Sequence, residues 1–288
     1  MYSMPLYRPP SEANSLIVQA TIGCSHNKCT FCSMYKSKKF RIKSLEEIKK
    51  HIDELKNIYG DIRRIFLADG DALIIKFEDL KEILKYINYK FPSCERVTMY
   101  ASPKSIASKT VIQLKELRNL NLKMVYIGIE SGNDEVLEII NKGACREELI
   151  KACNKIKMSN IAISATIIAG IAPRELSMRH SIDTGTLISE ISPEYASVLS
   201  LMLEEGTPLY NQVKCGNFNM LNSIEILEEI KNIIKNINAS KNIIFRGNHA
   251  SNYISLKGEF MKDKDRLIED INWCIKNNYL SNKEYRRL

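Results

Sequence analysis

Short apolar runs alternate with longer amphipathic segments along most of the sequence, and this alternation limits the possible folds more than any other feature. The apolar runs at 16–21, 65–68, 97–101, 124–129, 161–169 and 195–202 predict six strands. Amphipathic segments at 44–58, 77–88, 105–120, 134–141, 146–159 and 175–191 predict the helices between them. Strands that are apolar throughout and are separated by helices indicate a parallel sheet covered on its outside. We therefore predict an α/β fold of the partial (β/α)6 TIM barrel type.

The sequence on either side of this core has a different pattern. Residues 1–15 contain three prolines and no periodicity, which indicates an irregular N-terminal arm. The core is expected to occupy residues 16–210. Residues 211–288 predict a mostly helical C-terminal extension, with helices at 223–237 and 264–277 and a short strand or loop at 242–246. We expect this extension to cover the mouth of the barrel.

Composition is that of a soluble globular protein, with 44% hydrophobic and 26% charged residues. No apolar run is long enough to cross a bilayer and the N-terminus has no signal-peptide pattern, so we expect a cytoplasmic protein with no membrane partner. Lysine and arginine number 42 against 34 acids, a net charge of +8. Because this excess is spread along the chain, with its densest patch at 36–41, it favours a lysine-rich surface over a nucleic-acid partner.

Three of the eight cysteines, Cys24, Cys29 and Cys32, fall within nine residues directly after the first predicted strand. The other five are scattered singly, which indicates a metal loop and ordinary buried thiols rather than a set of disulfides. Three thiolates on one loop can hold a [4Fe–4S] cluster and leave one iron open. The alternative is a zinc site with His26 as a further ligand. Because structural zinc sites usually have two separated ligand pairs and no second pair is present, the iron–sulfur cluster is favoured.

Polar residues also follow other predicted strands. The second strand leads into Ala68-Asp69-Gly70-Asp71, and the fourth ends in Gly128-Ile129-Glu130-Ser131-Gly132, with Asn141-Lys142-Gly143 shortly after. Active sites of barrel folds lie at the carboxyl ends of the strands, so these segments are candidate site residues. The alternatives are a surface acid for Glu130 and a cation at a helix C-terminus, followed by a glycine cap, for Lys142.

With these motifs in this order, residues 16–210 resemble the radical S-adenosylmethionine superfamily, and within it the group of the oxygen-independent coproporphyrinogen dehydrogenases and the tRNA methylthiolases. The resemblance departs from the family pattern in the cysteine loop, where four residues rather than three separate Cys24 from Cys29. It departs again at 69–71, where Asp-Gly-Asp stands for Gly-Gly-Glu. The site residues that it implies are Cys24, Cys29 and Cys32 for the cluster, Phe31 beside the adenine, Gly70 with Asp69 or Asp71 for the ammonium of S-adenosylmethionine, Glu130 for the cofactor, Lys142 for its carboxylate, and Ser102 and Thr166 for the nucleoside.

The resemblance implies an oxygen-sensitive enzyme that cleaves S-adenosylmethionine reductively at the cluster. The resulting 5′-deoxyadenosyl radical would abstract hydrogen from a substrate, and a one-electron donor such as flavodoxin or ferredoxin would supply the electron. We expect a small-molecule substrate. An RNA-modifying enzyme of the same superfamily is the first alternative, disfavoured because the C-terminal extension is predicted to be helical and no second cysteine cluster occurs. A non-catalytic iron–sulfur or zinc sensor is the second alternative.

Two further residues have open interpretations. His249 lies in the polar segment 246–253, which predicts either a hydrogen-bonded turn or a part of the extension that meets the substrate. Cys215 is either an inert thiol, as lone cysteines usually are, or a hydrogen-atom donor.

Overall fold

The computed structural model describes residues 2–280, and the last eight residues of the predicted C-terminal extension lie outside this range. The described chain forms two compact units. The first unit contains residues 2–27, 34–127 and 151–163, and the second contains residues 28–33, 128–150 and 164–280.

The strands and helices alternate through most of the chain, as the apolar periodicity predicts. The strands are β1 Leu16–Gln19, β2 Thr21–Ile22, β3 Arg41–Ile42, β4 Arg64–Ala68, β5 Arg96–Tyr100, β6 Leu122–Glu130, β7 Ala162–Ala169, β8 Tyr195–Ser200, β9 Ile244–Gly247 and β10 Leu256–Glu259. The helices are α1 Leu45–Tyr59, α2 Phe77–Lys90, α3 Pro103–Ala107, α4 Val111–Asn119, α5 Asp134–Ile139, α6 Arg146–Met158, α7 Ser177–Ile191, α8 Pro208–Lys214, α9 Ser223–Asn236 and α10 Phe260–Lys276. Short 3-10 helices occupy Pro10–Glu12, Ala72–Ile74 and Arg174–Leu176.

The first unit is built on parallel strands in the order β1-β4-β5-β6. Residues 65–68 of β4 are fully buried, as expected for a strand covered on both faces. Helix α1 begins with a capping box, in which the Ser44 side chain accepts from the backbone N–H of Glu47 and the Glu47 carboxylate accepts from that of Ser44. Its apolar face, with Ile48, Ile52 and Leu55, is buried.

The N-terminal arm lies along β1, the strand at the edge of the sheet. Tyr2 Oη donates to the carbonyl of Ile17 at 2.7 Å. At the other end of the arm Glu12 is fully buried, accepts from Tyr126 Oη at 2.6 Å and pairs with Arg96 at 2.9 Å. The arm therefore covers an edge that would otherwise present unpaired backbone groups.

The second unit contains most of β7 together with β8, β9 and β10, in which β7, β8 and β9 pair in parallel and β10 pairs antiparallel with β9. Helices α7 and α9 pack closely because Gly185 has no side chain. A Cβ at this position would lie 2.6 Å from Asn236 Cβ. Helix α9 buries a row of isoleucines, including Ile226, Ile230 and Ile233.

The predicted parallel α/β sheet is confirmed, and each of the six predicted strands is present. The sequence did not predict the antiparallel β2–β3 pair or β10. The predicted helix at 105–120 is two helices, because Thr110 forms a new capping box with Gln113 at the start of α4. Within residues 2–280 no helix is long and apolar enough to cross a membrane.

Candidate active site

The first part of the cysteine loop, up to Asn27, lies in the first unit together with residues 34–40. Ser25 Oγ donates to Asp71 Oδ2 at 2.6 Å. Asn27 has a φ of 46°, a left-handed conformation that asparagine tolerates better than most residues, and its side-chain amide donates to the carbonyl of Tyr35 at 2.9 Å. The longer spacing between Cys24 and Cys29 is therefore accommodated by a turn at Asn27 and a hydrogen bond from Ser25.

Gly70 is the centre of the acidic turn that follows β4. Its N–H donates to the carbonyl of Gly23 at 3.1 Å. A Cβ at Gly70 would lie 2.7 Å from Tyr35 Cε2 and 3.0 Å from Cys24 Cβ. Only glycine allows this approach, so the turn lies directly against the first cysteine of the loop.

Asp71 is buried and is held by hydroxyl and amide donors. Ser102 donates to it through both Oγ, at 2.7 Å, and its backbone N–H, at 3.2 Å, and Ser25 provides the third hydrogen bond. Ser102 also caps helix α3, which fixes its position. The neighbouring Lys109 is buried and donates to the carbonyl of Leu73. Burial lowers the pKa of Lys109 to about 8, against the opposing effect of the Asp71 charge.

Asp69 has a different environment from Asp71. It is fully buried, and its Oδ2 accepts from Lys38 Nζ at 2.8 Å, from the N–H of Gly23 at 3.0 Å and from Gln19 Nε2 at 3.1 Å. Lys38 also donates to the carbonyl of Ser3 in the N-terminal arm at 2.8 Å. Asp69 therefore ties the cysteine loop, β1 and the arm together. Sequence reasoning missed Lys38, which was visible only as one lysine of the basic patch at 36–41.

The second part of the cysteine loop belongs to the second unit. Cys29, Phe31 and Cys32 are all partly exposed. The loop is anchored by the N–H of Thr30, which donates to the carbonyl of Ile140 at 2.9 Å, and by the carbonyl of Thr30, which accepts from the N–H of Leu209 at 2.9 Å. This places the loop against the end of α5, two residues before Lys142.

Glu130 and Lys142 form an ion pair of 2.9 Å in the second unit. Glu130 is the last residue of β6 and has a φ of 61°, a left-handed conformation that a residue with a Cβ adopts only when its surroundings enforce it. Its carboxylate folds back over Gly128, where a Cβ would collide with it. The structure thus brings together the acid and the cation that the sequence picked out twelve residues apart. Thr166, in β7, is partly exposed and pairs in register with Ser197.

The segment around His249 is a hydrogen-bonded turn. His249 Nδ1 accepts from the N–H of Ser251 at 3.1 Å, and Asn252 is buried against the end of β8 through Ser200 Oγ at 2.9 Å and the Val198 carbonyl at 2.8 Å. Cys215 follows helix α8 and is exposed.

The parallel strands with polar residues at their carboxyl ends define an α/β fold of the type in which active sites lie at that edge of the sheet. Residues 18–178, more than half of the chain, match the Radical SAM superfamily. The protein therefore belongs to the radical SAM superfamily and is an enzyme that uses a [4Fe–4S] cluster and S-adenosylmethionine. Enzymes of this superfamily need an electron donor.

The chain is similar to tRNA-2-methylthio-N(6)-dimethylallyladenosine synthase of Clostridium tetani, with 26% identity over 95% of this chain and 60% of that protein. It thus spans about three fifths of the length of that relative. An uncharacterized protein of Methanocaldococcus jannaschii is 24% identical over 76% of this chain and 70% of its own length. Among solved structures, coproporphyrinogen III oxidase of Escherichia coli has a TM-score of 0.60 at 15% identity, covering 77% of this chain and 52% of that one. This likeness confirms the predicted TIM-barrel-type fold.

The residues of the cysteine loop fit an iron–sulfur cluster in their chemistry. Cys24, Cys29 and Cys32 are partly exposed, lie on one short loop and are not in disulfide bonds. Gly70 lies so close to Cys24 that a Cβ at position 70 would be 3.0 Å from Cys24 Cβ. In the part of the chain that the structure describes, no three His, Cys, Asp or Glu side chains are already gathered as a metal site. Three partly exposed thiols therefore suit an iron–sulfur cluster. The conformation of the loop that carries them depends on the hydrogen bonds of Ser25 and Thr30.

Proposed function

We propose that the chain binds a [4Fe–4S] cluster through Cys24, Cys29 and Cys32 and binds S-adenosylmethionine through Glu130 and Lys142. The observation that carries this proposal is the Glu130–Lys142 ion pair at the end of β6. The methionine part of S-adenosylmethionine carries an ammonium and a carboxylate. This acid and cation lie side by side with side chains 11% and 14% exposed, and they can exchange their mutual pairing for these two ligand charges.

The first unit supplies the other proposed contacts. Asp71, rather than Asp69, is the acid proposed for the ammonium, because the Asp69 charge is already compensated by Lys38. The backbone of Gly70 is proposed to contact the cofactor beside Cys24. Ser102 is proposed to contact the nucleoside, and Phe31 and Thr166, in the second unit, have the same proposed role.

When bound, the cluster and S-adenosylmethionine supply a reductive cleavage that gives a 5′-deoxyadenosyl radical able to abstract hydrogen from a substrate. The part of the protein is to orient the sulfonium ligand, through Glu130 and Lys142, and to exclude water. The proposed electron donor is a flavodoxin or ferredoxin. The substrate first proposed is a small organic molecule, since the positive charge of the chain is not gathered in one block.

A tRNA is the second candidate substrate. The observation that favours it is the similarity to a tRNA-modifying synthase over nearly the whole of this chain. Because the chain spans only part of that protein, the tRNA is placed second.

Anaerobic reconstitution followed by measurement of 5′-deoxyadenosine tests the cofactor assignment. Wild-type protein with reductant should release 5′-deoxyadenosine, and Cys24→Ala should lose both iron and product. Glu130→Gln should raise the dissociation constant for S-adenosylmethionine by about tenfold or more while retaining iron, since charge-assisted hydrogen bonds contribute about 1.5–3 kcal/mol. Glu138→Gln, an exposed acid on α5, is the matched control. Full product release by Cys24→Ala would contradict the proposal.

The same assay separates the two substrate classes. Unfractionated tRNA and a protein-free extract of small metabolites are added in turn, both prepared with deuterium at carbon. Transfer of deuterium into 5′-deoxyadenosine from the metabolite extract supports the first candidate. Transfer from tRNA only, with binding that weakens steeply as salt rises, would replace it with the second.

A further inference from the structure

The turn that follows β6 holds a strained residue in place. Glu130 has a positive φ although it is not glycine, so neighbouring contacts must enforce its conformation. Ser131, the next residue, is fully buried, and its N–H donates to the carbonyl of Ile129 at 2.8 Å. The direction of the Glu130 side chain therefore depends on what fixes Ser131.

Helix α7 fixes Ser131 and the following glycine. Ser131 Oγ lies 2.8 Å from His180 Nδ1 and accepts from the N–H of Asn133 at 3.0 Å. The N–H of Gly132 donates to Thr184 Oγ1 at 2.9 Å. Gly132 packs so closely on the α7 backbone that a Cβ there would collide with the Asp183 carbonyl. Asn133 Nδ2 donates to Asp183 Oδ2 at 2.6 Å, so three consecutive residues of the turn are held by one face of α7.

A carboxyl group of helix α9 lies on the other side of His180. Glu229 Oε1 is 3.6 Å from His180 Nε2, and both side chains are fully buried. Glu229 also accepts from the N–H of Gly170, just after β7, at 2.6 Å and from Ser177 Oγ. Burial lowers the pKa of His180 to about 4 and raises the pKa of Glu229 to about 7, so the imidazole is neutral near pH 7.

We propose that His180 and Glu229 are positioning residues that hold Ser131, and through it Glu130, in the orientation in which the Glu130 carboxylate meets Lys142 and the cofactor. This inference rests on the proposed role of Glu130 in binding S-adenosylmethionine. Apolar side chains of similar size would fill the same space without the cost of burying polar groups. They would leave the Ser131 hydroxyl without its directional contact, so the polar network fixes an orientation that packing alone does not.

Binding of S-adenosylmethionine to the reconstituted full chain tests the proposal. His180→Leu and Glu229→Leu remove the polar contacts at similar bulk, and Ser131→Ala removes only one hydroxyl. We expect each variant to raise the dissociation constant, measured by equilibrium dialysis, by about fivefold to tenfold, with iron content equal to wild type. His180→Asn, which keeps a polar group near the Nδ1 position, and Glu229→Gln should stay within about threefold of wild type. Glu228→Leu, at a partly exposed neighbouring position on α9 where the acid pairs with Lys231, is the matched control.

The outcomes distinguish this inference from the proposed function. Normal binding by Ser131→Ala, His180→Leu and Glu229→Leu, with weakened binding by Glu130→Gln, overturns the inference alone. Normal binding by Glu130→Gln overturns both. If His180→Leu and Glu229→Leu lose iron and thermal stability in proportion to binding, and Ser131→Ala binds normally, the residues are merely structural and the inference is wrong. Failure of His180→Asn and Glu229→Gln to restore binding also contradicts it.

Discussion

At the scale of single residues, the two acids of the turn after β4 make different contacts. Asp69 and Asp71 are separated only by Gly70, yet one lies in an ion pair with Lys38 and the other accepts hydrogen bonds from two serines. An acid whose charge is already balanced by a buried lysine is expensive to redirect toward a ligand, because the lysine would be left unpaired. An acid held by hydroxyls has no such constraint. For this reason Asp71 is the acid that we propose for the ammonium of S-adenosylmethionine.

Ser25→Ala tests how much the longer cysteine loop depends on Asp71. The substitution removes the hydroxyl that donates to Asp71 Oδ2 at 2.6 Å. Because the acceptor is a buried carboxylate, we expect the free energy of unfolding to fall by about 1–3 kcal/mol. Urea denaturation of the cluster-free protein measures this, and iron content after reconstitution should fall with it. Ser25→Thr should restore both, and Ser37→Ala, at an exposed position of the same loop, should change neither. Equal stability of Ser25→Ala and wild type would show that the hydrogen bond does not hold the loop.

At the scale of elements, the N-terminal arm is fixed by several parts of the first unit. Its Tyr2 ring packs edge-on against His51 of α1, with ring centroids 4.9 Å apart, and its Ser3 carbonyl accepts from Lys38. Helix α1, the cysteine loop and β1 therefore all contact one irregular segment. The absence of periodicity in residues 1–15 indicated an irregular arm but none of these contacts. Each of them joins residues far apart in sequence.

His51 makes the stability of the packing between the N-terminal arm and α1 depend on pH. Burial lowers its pKa from 6.5 to about 4, so between these values the unfolded chain binds more protons than the folded one. The free energy of unfolding contributed by His51 therefore falls as the pH drops through this window. His51→Phe keeps the ring packing on Tyr2 and removes the titration.

We expect wild type to lose about 2 kcal/mol more than His51→Phe between pH 7.5 and pH 5, since each pKa unit corresponds to 1.36 kcal/mol. Urea denaturation of the cluster-free proteins at the two pH values measures the difference. Parallel pH curves for the two proteins would mean that His51 is not buried in its neutral form.

At the scale of the whole molecule, the C-terminal extension is part of a unit rather than an appendage. Residues 164–280 belong to one compact unit, in which α9 packs on α7 and β9 adds to β8. Residue 210, the boundary predicted from the sequence, lies within this unit. That the extension covers the barrel mouth remains a proposal. Its helix α9 packs on α7 and contributes to the stability of the second unit.

A chain ending at residue 210 should not fold cooperatively. It lacks the buried α9 side chains Ile226, Leu227, Ile230, Ile233 and Ile234, each worth about 1.5–3 kcal/mol, and the sum rivals the whole stability of a typical domain. Thermal unfolding followed by circular dichroism should show no sharp transition.

Point substitutions in the full chain also test how much the buried α9 side chains contribute to stability. Ile233→Ala should cost about 2–5 kcal/mol, and Ile112→Ala, at an exposed position of α4, less than about 0.5 kcal/mol. A sharp transition near the wild-type melting temperature for the 1–210 chain would show that the boundary separates two independent folding units.

The sequence by itself determined the features that depend on local pattern. Apolar runs and helical periodicity gave the six strands and most of the helices, because burial and periodicity act on neighbouring residues. The spacing of Cys24, Cys29 and Cys32 on one loop indicated an iron–sulfur cofactor. The Glu130 to Lys142 segment was found in the same way, within a single strand–loop–helix unit.

Only the tertiary structure decided which distant groups meet. Lys38 reaches Asp69 across 31 residues, and Ser131 reaches His180 across 49. No periodicity or propensity records such pairs, because buried polar groups select partners by three-dimensional position and by the cost of leaving a charge or hydroxyl unbonded. For the same reason the sequence did not predict β10 or the β2–β3 pair. Such short strands form only because another strand of the fold lies beside them and pairs with them. The cysteines could be read from the sequence, whereas the contacts that orient the acids and hold the cysteine loop required the fold.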